Sequence, residues 1–144
     1  MSPVWNRINT EAFQPYQDEQ ISGEQAFAAA TVPLKDFMLK QTREKDLALF
    51  VKISREPRPA KPADISLSVL VPAFIISELK TAFQIGFMIY LPFMIIDMVI
   101  SSILLSMGMM MLPPIIMSLP FKLLLFVLVD GWYLIVGSLV QTFH

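Results

Sequence analysis

The sequence contains no cysteine and only one histidine, His144, at the end of its 144 residues. Without cysteine the chain can form neither a disulfide nor a thiol nucleophile. A lone histidine builds neither a metal site nor a catalytic triad, and no nucleophile–base pair or phosphate-binding loop is visible. We therefore expect no catalytic residues, no metal and no other cofactor, and a protein that is not an enzyme.

Basic runs are also missing, and the net charge is −1. Proteins that bind nucleic acid carry a basic patch or stripe. Nucleic acid is therefore not an expected partner.

Charge is scarce in the second part of the chain. Residues 1–64 hold nine Lys/Arg and nine Asp/Glu. Residues 65–144 hold only Glu78, Lys80, Asp97, Lys122 and Asp130. This contrast predicts a soluble helical domain with a proline-rich linker over 1–64, followed by a membrane-embedded part over 65–144 with lipid around it.

The first residues lack the basic and then apolar pattern of a secretory signal. We expect either that the chain inserts through its own apolar segments or that it is a piece of a longer protein.

Local signals predict helices in the first part. Residues 1–21 show no clear period and are expected to be irregular. Ser22 and Gln25 form a capping-box pattern, which predicts a short helix through Ala30. A second helix is predicted over Pro33–Ser54, with an apolar face buried against a neighbouring subunit. Residues 55–64 contain three prolines and predict a stiff linker.

The second part predicts a long, bent helical hairpin. Residues 72–112 form a nearly unbroken apolar stretch, which as one helix is roughly 60 Å long, twice the hydrocarbon thickness of a bilayer. Pro92 should divide and kink it. Pro113 and Pro114 should break it, and residues 121–140 are long enough to cross a bilayer. The expected fold is all-α: an integral membrane protein with a small soluble helical domain followed by a long kinked hairpin.

Methionines mark the tip of this hairpin. Met109, Met110 and Met111 lie between Gly108 and the two prolines, and eight of the ten methionines fall between residues 88 and 117. Methionine is flexible and seals irregular gaps, so the triplet could form a plug. Ordinary filling of an apolar core is the alternative role.

The charges within the apolar part need partners. An ionisable side chain at membrane depth costs at least about 2.5–3.5 kcal/mol on insertion scales. We expect pairs between helices or subunits, with Glu78–Lys122 favoured by sign. Two alternatives stay open. In the first, Glu78, Lys80 and Lys122 lie at helix ends and extend to the membrane–water interface. In the second, Asp97 or Asp130 belongs to a proton relay.

Several runs in order give a resemblance to a known family. They are residues 37–50 (FMLKQTREKDLALF), 77–87 (SELKTAFQIGF), 92–97 (PFMIID), 108–114 (GMMMLPP), 119–123 (LPFKL) and 129–132 (VDGW). With these runs the chain resembles the FliP family, a core subunit of the flagellar type III protein-export gate. It is similar to a C-terminal portion, without the N-terminal signal and the first two apolar segments of the family.

The resemblance implies a multi-pass protein of the bacterial inner membrane at the flagellar basal body, with residues 1–64 on the periplasmic side. It implies a homo-oligomer of five copies, completed by the small Q and R export-gate subunits, through which unfolded flagellar proteins pass. On this reading Met109, Met110 and Met111 form a gasket around the pore, and Glu78 and Lys122 help to hold neighbouring subunits together.

Two other functions remain open at this point. The chain could be a subunit of a proton-coupled small-molecule transporter that uses Asp97 and Asp130. It could also be an inactive fragment.

Overall fold

The computed structural model describes residues 1–55, 57, 59–108 and 114–143. Within these residues all regular structure is helical, which confirms the all-α prediction. The chain divides into two compact units, Met1–Lys80 and Thr81–His144. Composition alone placed the boundary at residue 64. The first unit reaches further because the first turns of a long apolar helix pack within it.

The N-terminal segment is helical. Helix α1 covers Ser2–Ile8, a π-helical turn covers Asn9–Phe13, and α2 covers Gln14–Gln17. The expectation of irregular structure was wrong here. Pro3 and Pro15 each occupy the first turn of a helix, where the missing N–H is no loss.

The next two helices, α3 (Gly23–Gln41) and α4 (Glu44–Ser54), differ from the prediction at their junction. The capping box at Ser22 is confirmed, and it opens α3. However, α3 continues through Pro33, which is fully buried, and the chain leaves the helix only at Thr42. The predicted break at Pro33 was wrong because burial outweighs the one hydrogen bond that proline removes.

Helix α4 is capped by a residue distant in sequence. Arg43, its N-cap, offers no capping side chain, and its backbone N–H donates to the Ser77 hydroxyl at 3.1 Å. That hydroxyl in turn donates to Oδ2 of Asp46 at 2.7 Å. Ser77 is 1% exposed and belongs to the long helix α5 (Leu67–Ser106). The bridge links an N-cap amide to the carboxylate three residues on, as a capping box does directly.

The core of the first unit lies where α5 begins. Ile65, Val69 and Leu70 are buried there. Five side chains of α3 and α4 pack on them: Met38, Leu39, Leu47, Phe50 and Val51. The same chain therefore covers part of the apolar surface of these helices, while Leu34, Leu49 and Ile53 stay exposed in it.

Helix α5 has 40 residues, and an 18-residue window within it reaches a mean hydropathy of 2.1, so its length and composition suffice to cross a membrane. The helix continues through Pro92, so the predicted division into two helical arms was not found. Proline removes one backbone hydrogen bond, and a long apolar helix keeps the others.

The last part forms two helices where one was predicted. Helix α6 covers Pro114–Leu128 and α7 covers Gly131–Gln141, with a 61° bend between the parts 116–128 and 131–141. By length and composition the bent pair together could form one broken span. The single helix over 121–140 was therefore wrong: α6 begins before Pro120 and ends before Asp130.

Asp130 and Gly131 make the corner between α6 and α7. Asp130 adopts a left-handed backbone (φ 51°, ψ 54°), which aspartate tolerates better than most residues. Gly131 is buried against Phe126, and a Cβ added to it would lie 2.8 Å from Cζ of that ring and closer to two other ring atoms. The Phe126 ring also meets Trp132 edge-on, with centroids 5.3 Å apart. The corner thus depends on a residue without a side chain.

Candidate functional site

A charged cluster joins the two apolar helices α5 and α6. Nζ of Lys122 lies 2.8 Å from Oδ2 of Asp97. The hydroxyl of Ser118 donates to the other carboxylate oxygen, Oδ1, at 2.5 Å. Both oxygens of Asp97 therefore accept a hydrogen bond from α6.

The spacing along α6 explains why two side chains reach one carboxylate. Ser118 and Lys122 are four residues apart, so they lie on the same face of the helix. Ser118 is fully buried. The side chains of Lys122 and Asp97 are 21% and 29% exposed. Hydrogen bonds to a charged group are about twice as strong as those between neutral groups, so the cluster links α5 and α6 strongly at this point.

The position of the cluster defines a hairpin. Helix α5 ends at Ser106 and α6 begins at Pro114, so residues 107–113 connect them. Asp97 lies nine residues before the end of α5, and Lys122 lies eight residues after the start of α6. At 1.5 Å per residue, the cluster fastens the two helices roughly 12–14 Å from the connecting segment.

The surroundings make this pairing important. Most side chains of α5 and α6 are apolar, so few of them could bond Asp97 or Lys122 if the other were lost. A partly buried charge whose partner is removed destabilises the fold, though less than a fully buried one. The geometry is that of a structural clip between helices, because both carboxylate oxygens are already bonded.

The charged residues that the sequence analysis singled out lie in both units of the chain. Glu78 is half-buried in the first unit. Lys122 is paired with Asp97 in the second, whereas the Glu78–Lys122 pair between subunits stays a prediction. Asp130 is exposed at the corner between α6 and α7, where its backbone serves as the N-cap of α7.

The remaining predicted positions concern the hairpin connection. Pro114 is the first residue of α6, a position that suits proline. Met109, Met110, Met111 and Pro113 lie outside the described residues. In the described part of the chain, no group of three His, Cys, Asp or Glu side chains could hold a metal ion.

Sequence reasoning missed Ser118, and it named Glu78 as the partner of Lys122 without foreseeing the Asp97–Lys122 pair within the chain. A signal was available. Residues 97 and 122 lie at equal distances from position 109.5, in the middle of the methionine run. An antiparallel hairpin pairs residues that are equidistant from its turn, so symmetry selects Asp97, whereas charge sign alone does not distinguish the acids.

Fold and cluster together define a protein that is helical throughout its described regular structure, whose longest helix is apolar and long enough to cross a membrane, and carries a charge paired with a second apolar helix. Comparison with known proteins makes this class specific. The model of the FliP family matches residues 1–139. The chain therefore belongs to the FliP family, which confirms the resemblance seen in its motifs.

Curated relatives agree with this assignment, and each is called flagellar biosynthetic protein FliP. The chain is 61% identical to the one from Bacillus subtilis (strain 168), over 99% of this chain and 65% of the relative. It is 55% identical to that of Pectobacterium carotovorum subsp. carotovorum, over 100% of this chain and 56% of the relative. It is 53% identical to that of Caulobacter vibrioides, over 100% of this chain and 54% of the relative. The chain thus spans between about half and two thirds of the length of these relatives.

Proposed function

We propose that this chain is part of a structural, non-enzymatic subunit of a flagellar protein-export gate in the bacterial inner membrane. Family membership supports this proposal, as do the relatives, whose name is flagellar biosynthetic protein. The length and hydropathy of α5 support a membrane location. The protein passes through the membrane more than once, and residues 1–64 lie on the periplasmic side.

The observation that carries the proposal is the clip between Asp97 and Lys122, with Ser118 on the second carboxylate oxygen. A clip at this depth fixes the register of α5 against α6. It thereby fixes where the connecting segment, with Met109–Met111, is presented. Flexible thioethers close against small ions and still yield to an extended polypeptide. An apolar constriction also blocks ions by dewetting. The methionines therefore act as a gasket.

Exposed apolar surface supports assembly with other chains. Val127, Leu128, Trp132 and Tyr133 are each more than 70% exposed in the single chain. Large apolar side chains exposed to this extent, close together in sequence, favour contacts with protein or lipid. Five copies form a ring with the small Q and R subunits, and unfolded flagellar proteins pass through its centre. Glu78 and Lys122 contribute to the contact between neighbouring copies.

Native mass spectrometry in detergent tests the assembly, using the whole-length protein co-expressed with its candidate small partners. We expect a ring-sized complex of several copies plus the partners. Recovery of monomers alone, from membranes in which the partners are present, would contradict the proposal. The 144-residue chain measured in parallel tells whether the part described here suffices for assembly.

Ion conductance tests the gasket in the intact complex. Replacing Met109, Met110 and Met111 by alanine should raise the leak of small ions, because alanine leaves gaps that a thioether fills. Met88→Ala is the matched control, since Met88 is an exposed methionine of α5 far in sequence from the connection. Equal conductance of the triple variant and the unchanged protein would remove the gasket role.

A proton-coupled transporter requires a carboxylate that is free to exchange its proton. Asp97 is instead bonded through both oxygens, which favours the structural role. Asp97→Asn separates the two functions. Loss of uptake with assembly intact would favour the transporter, and loss of assembly would favour the clip.

A further inference from the structure

The apolar part of the chain contains few aromatic residues that also carry a polar group. After residue 64, only Tyr90, Trp132 and Tyr133 are tyrosine or tryptophan. All three belong to the second unit, and their exposed fractions are 55%, 72% and 74%. Their positions are informative, because such side chains combine an apolar ring with a polar group that prefers water.

The three residues lie at about the same level of the second unit. Ile89 lies eight residues before the clip on α5, and Asp130 lies eight residues after the clip on the α6 side. Antiparallel helices that are joined at the clip bring these two positions to about the same height. A cavity of about 340 Å³ supports this, because Ile89 of α5 and Leu134 of α7 both line it. Tyr90 directly follows Ile89, and the aromatic pair of α7 directly precedes Leu134.

The corner between α6 and α7 is polar at this level, although the helices on both sides are apolar. The carboxylate of Asp130 does not cap α7, and it forms no ion pair with another described residue. The break also leaves the last C=O groups of α6 and the first N–H groups of α7 without partners inside a helix. Inside hydrocarbon, an uncompensated charge and unpaired backbone groups are both costly. The corner is therefore unsuited to the interior of a bilayer.

We propose that this level of the second unit lies at a membrane–water interface, with Tyr90, Trp132 and Tyr133 among the lipid headgroups and the Asp130 carboxylate in water. The inference rests on the membrane location that the proposed function includes. Tryptophan and tyrosine are enriched at both interfaces of a membrane. Helices α6 and α7 then do not form one broken span, because the break between them lies at the edge of the bilayer.

The lengths of the helices agree with this placement. From Tyr90 to its end at Ser106, α5 is about 24 Å long, which is most of a hydrocarbon layer of about 30 Å. The clip lies about 12 Å from the corner along α6, and thus inside this layer, where Lys122 neutralises Asp97. Helix α7 has 11 residues, so at about 16 Å it is too short to cross a bilayer alone.

Fluorescence quenching measures the depth of the corner. In the chain with Trp5→Phe, Trp132 is the single tryptophan. This chain is reconstituted in vesicles of phosphatidylcholine that is brominated either close to the headgroup or near the end of the acyl chain. We expect the shallow bromines to quench the fluorescence of Trp132 more than the deep ones do.

The matched control is Phe121→Trp in a chain that also carries Trp5→Phe and Trp132→Phe. Phe121 is an exposed aromatic residue next to Lys122 of the clip, so the deep bromines should quench the tryptophan placed there more than the shallow ones do. Stronger quenching of Trp132 by the deep bromines would overturn the interface and place the corner inside one broken span. Quenching in the control chain alone would also overturn it, because the corner would then lie outside the lipid. If neither chain is quenched, the proposed membrane location itself fails.

Cysteine labelling gives a second test, because the unchanged chain contains no cysteine. Tyr133→Cys and Leu124→Cys replace two exposed residues, one at the corner and one near the clip. Maleimides react with the thiolate, which requires water around the thiol. A membrane-impermeant maleimide supplied on both sides of the vesicles should label Tyr133→Cys at once and Leu124→Cys only after detergent is added. Equal labelling of the two variants in intact vesicles would contradict the interface.

Discussion

Removing the charge of Asp97 should loosen the hairpin of α5 and α6. Asp97→Asn keeps the shape of the side chain and one oxygen for Ser118, but it leaves the Lys122 ammonium without its counterion. Breaking a fully buried ion pair costs about 3–5 kcal/mol. Here the two side chains retain 29% and 21% of their exposure, so water screens part of the loss. We therefore expect the free energy of unfolding to decrease by clearly less than a fully buried pair would lose.

A double-mutant cycle measures this interaction directly. Asp97→Asn, Lys122→Met and the double variant are unfolded with denaturant in the same detergent. The double variant should be more stable than the sum of the single losses predicts, because it leaves no unpaired charge. The difference should be outside the error of the measurement and smaller than that of a fully buried pair. Lys80→Met, at an exposed lysine of the other unit, serves as control. Strictly additive losses would refute the clip.

Three further changes probe other parts of the fold. Ser77→Ala should destabilise the first unit by about 1–2 kcal/mol and speed amide hydrogen exchange in the first turn of α4, while unchanged exchange would show that the bridge is dispensable. Gly131→Ala should cost about 1–3 kcal/mol by colliding with Phe126, whereas Gly137→Ala, with open space around it, should cost nothing; similar melting temperatures for both would refute the tight corner. Ser22→Ala should lower stability by about 1 kcal/mol in thermal unfolding, and no change would mean that the capping box is redundant.

Features set by neighbouring residues were predictable from the sequence. The capping box at Ser22 needs only residues three apart, and the structure has it. The apolar character of α5 follows from composition over dozens of residues, so a long apolar helical stretch was expected there, although the predicted division at Pro92 was not found. The family motifs likewise depend on local runs of sequence. In each case the information lies within the segment itself.

Features set by distant residues were not predictable in this way. The start of α4 at Arg43 depends on the Ser77 hydroxyl, 34 positions away. Nothing near Arg43 indicates such a cap. The corner at Asp130 is a different case, because Asp-Gly is a common turn signal. The apolar residues on both sides concealed it, since they fit one continuous span equally well.

The same limits apply to the candidate site. Residues 97, 118 and 122 could be brought together only by knowing where the chain reverses. Charge sign limited the possible partners of Lys122 to the acidic residues Glu78, Asp97 and Asp130, but it did not distinguish among these three. The signal that distinguishes Asp97 is that it and Lys122 are equally distant from the methionine run, which matters only once the chain is known to reverse there.

The clip between Asp97 and Lys122 has a consequence for how this stretch of the gene can change. A residue inserted into either helix between the clip and the connection turns everything beyond it by about 100° around the helix axis. The ammonium would then face away from the carboxylate. Substitutions between positions 97 and 122 leave the number of residues unchanged, and they preserve the pairing where helix geometry is kept. A single-codon insertion or deletion within the helical part does not. We therefore expect the helical parts of this interval to tolerate substitutions far better than insertions or deletions.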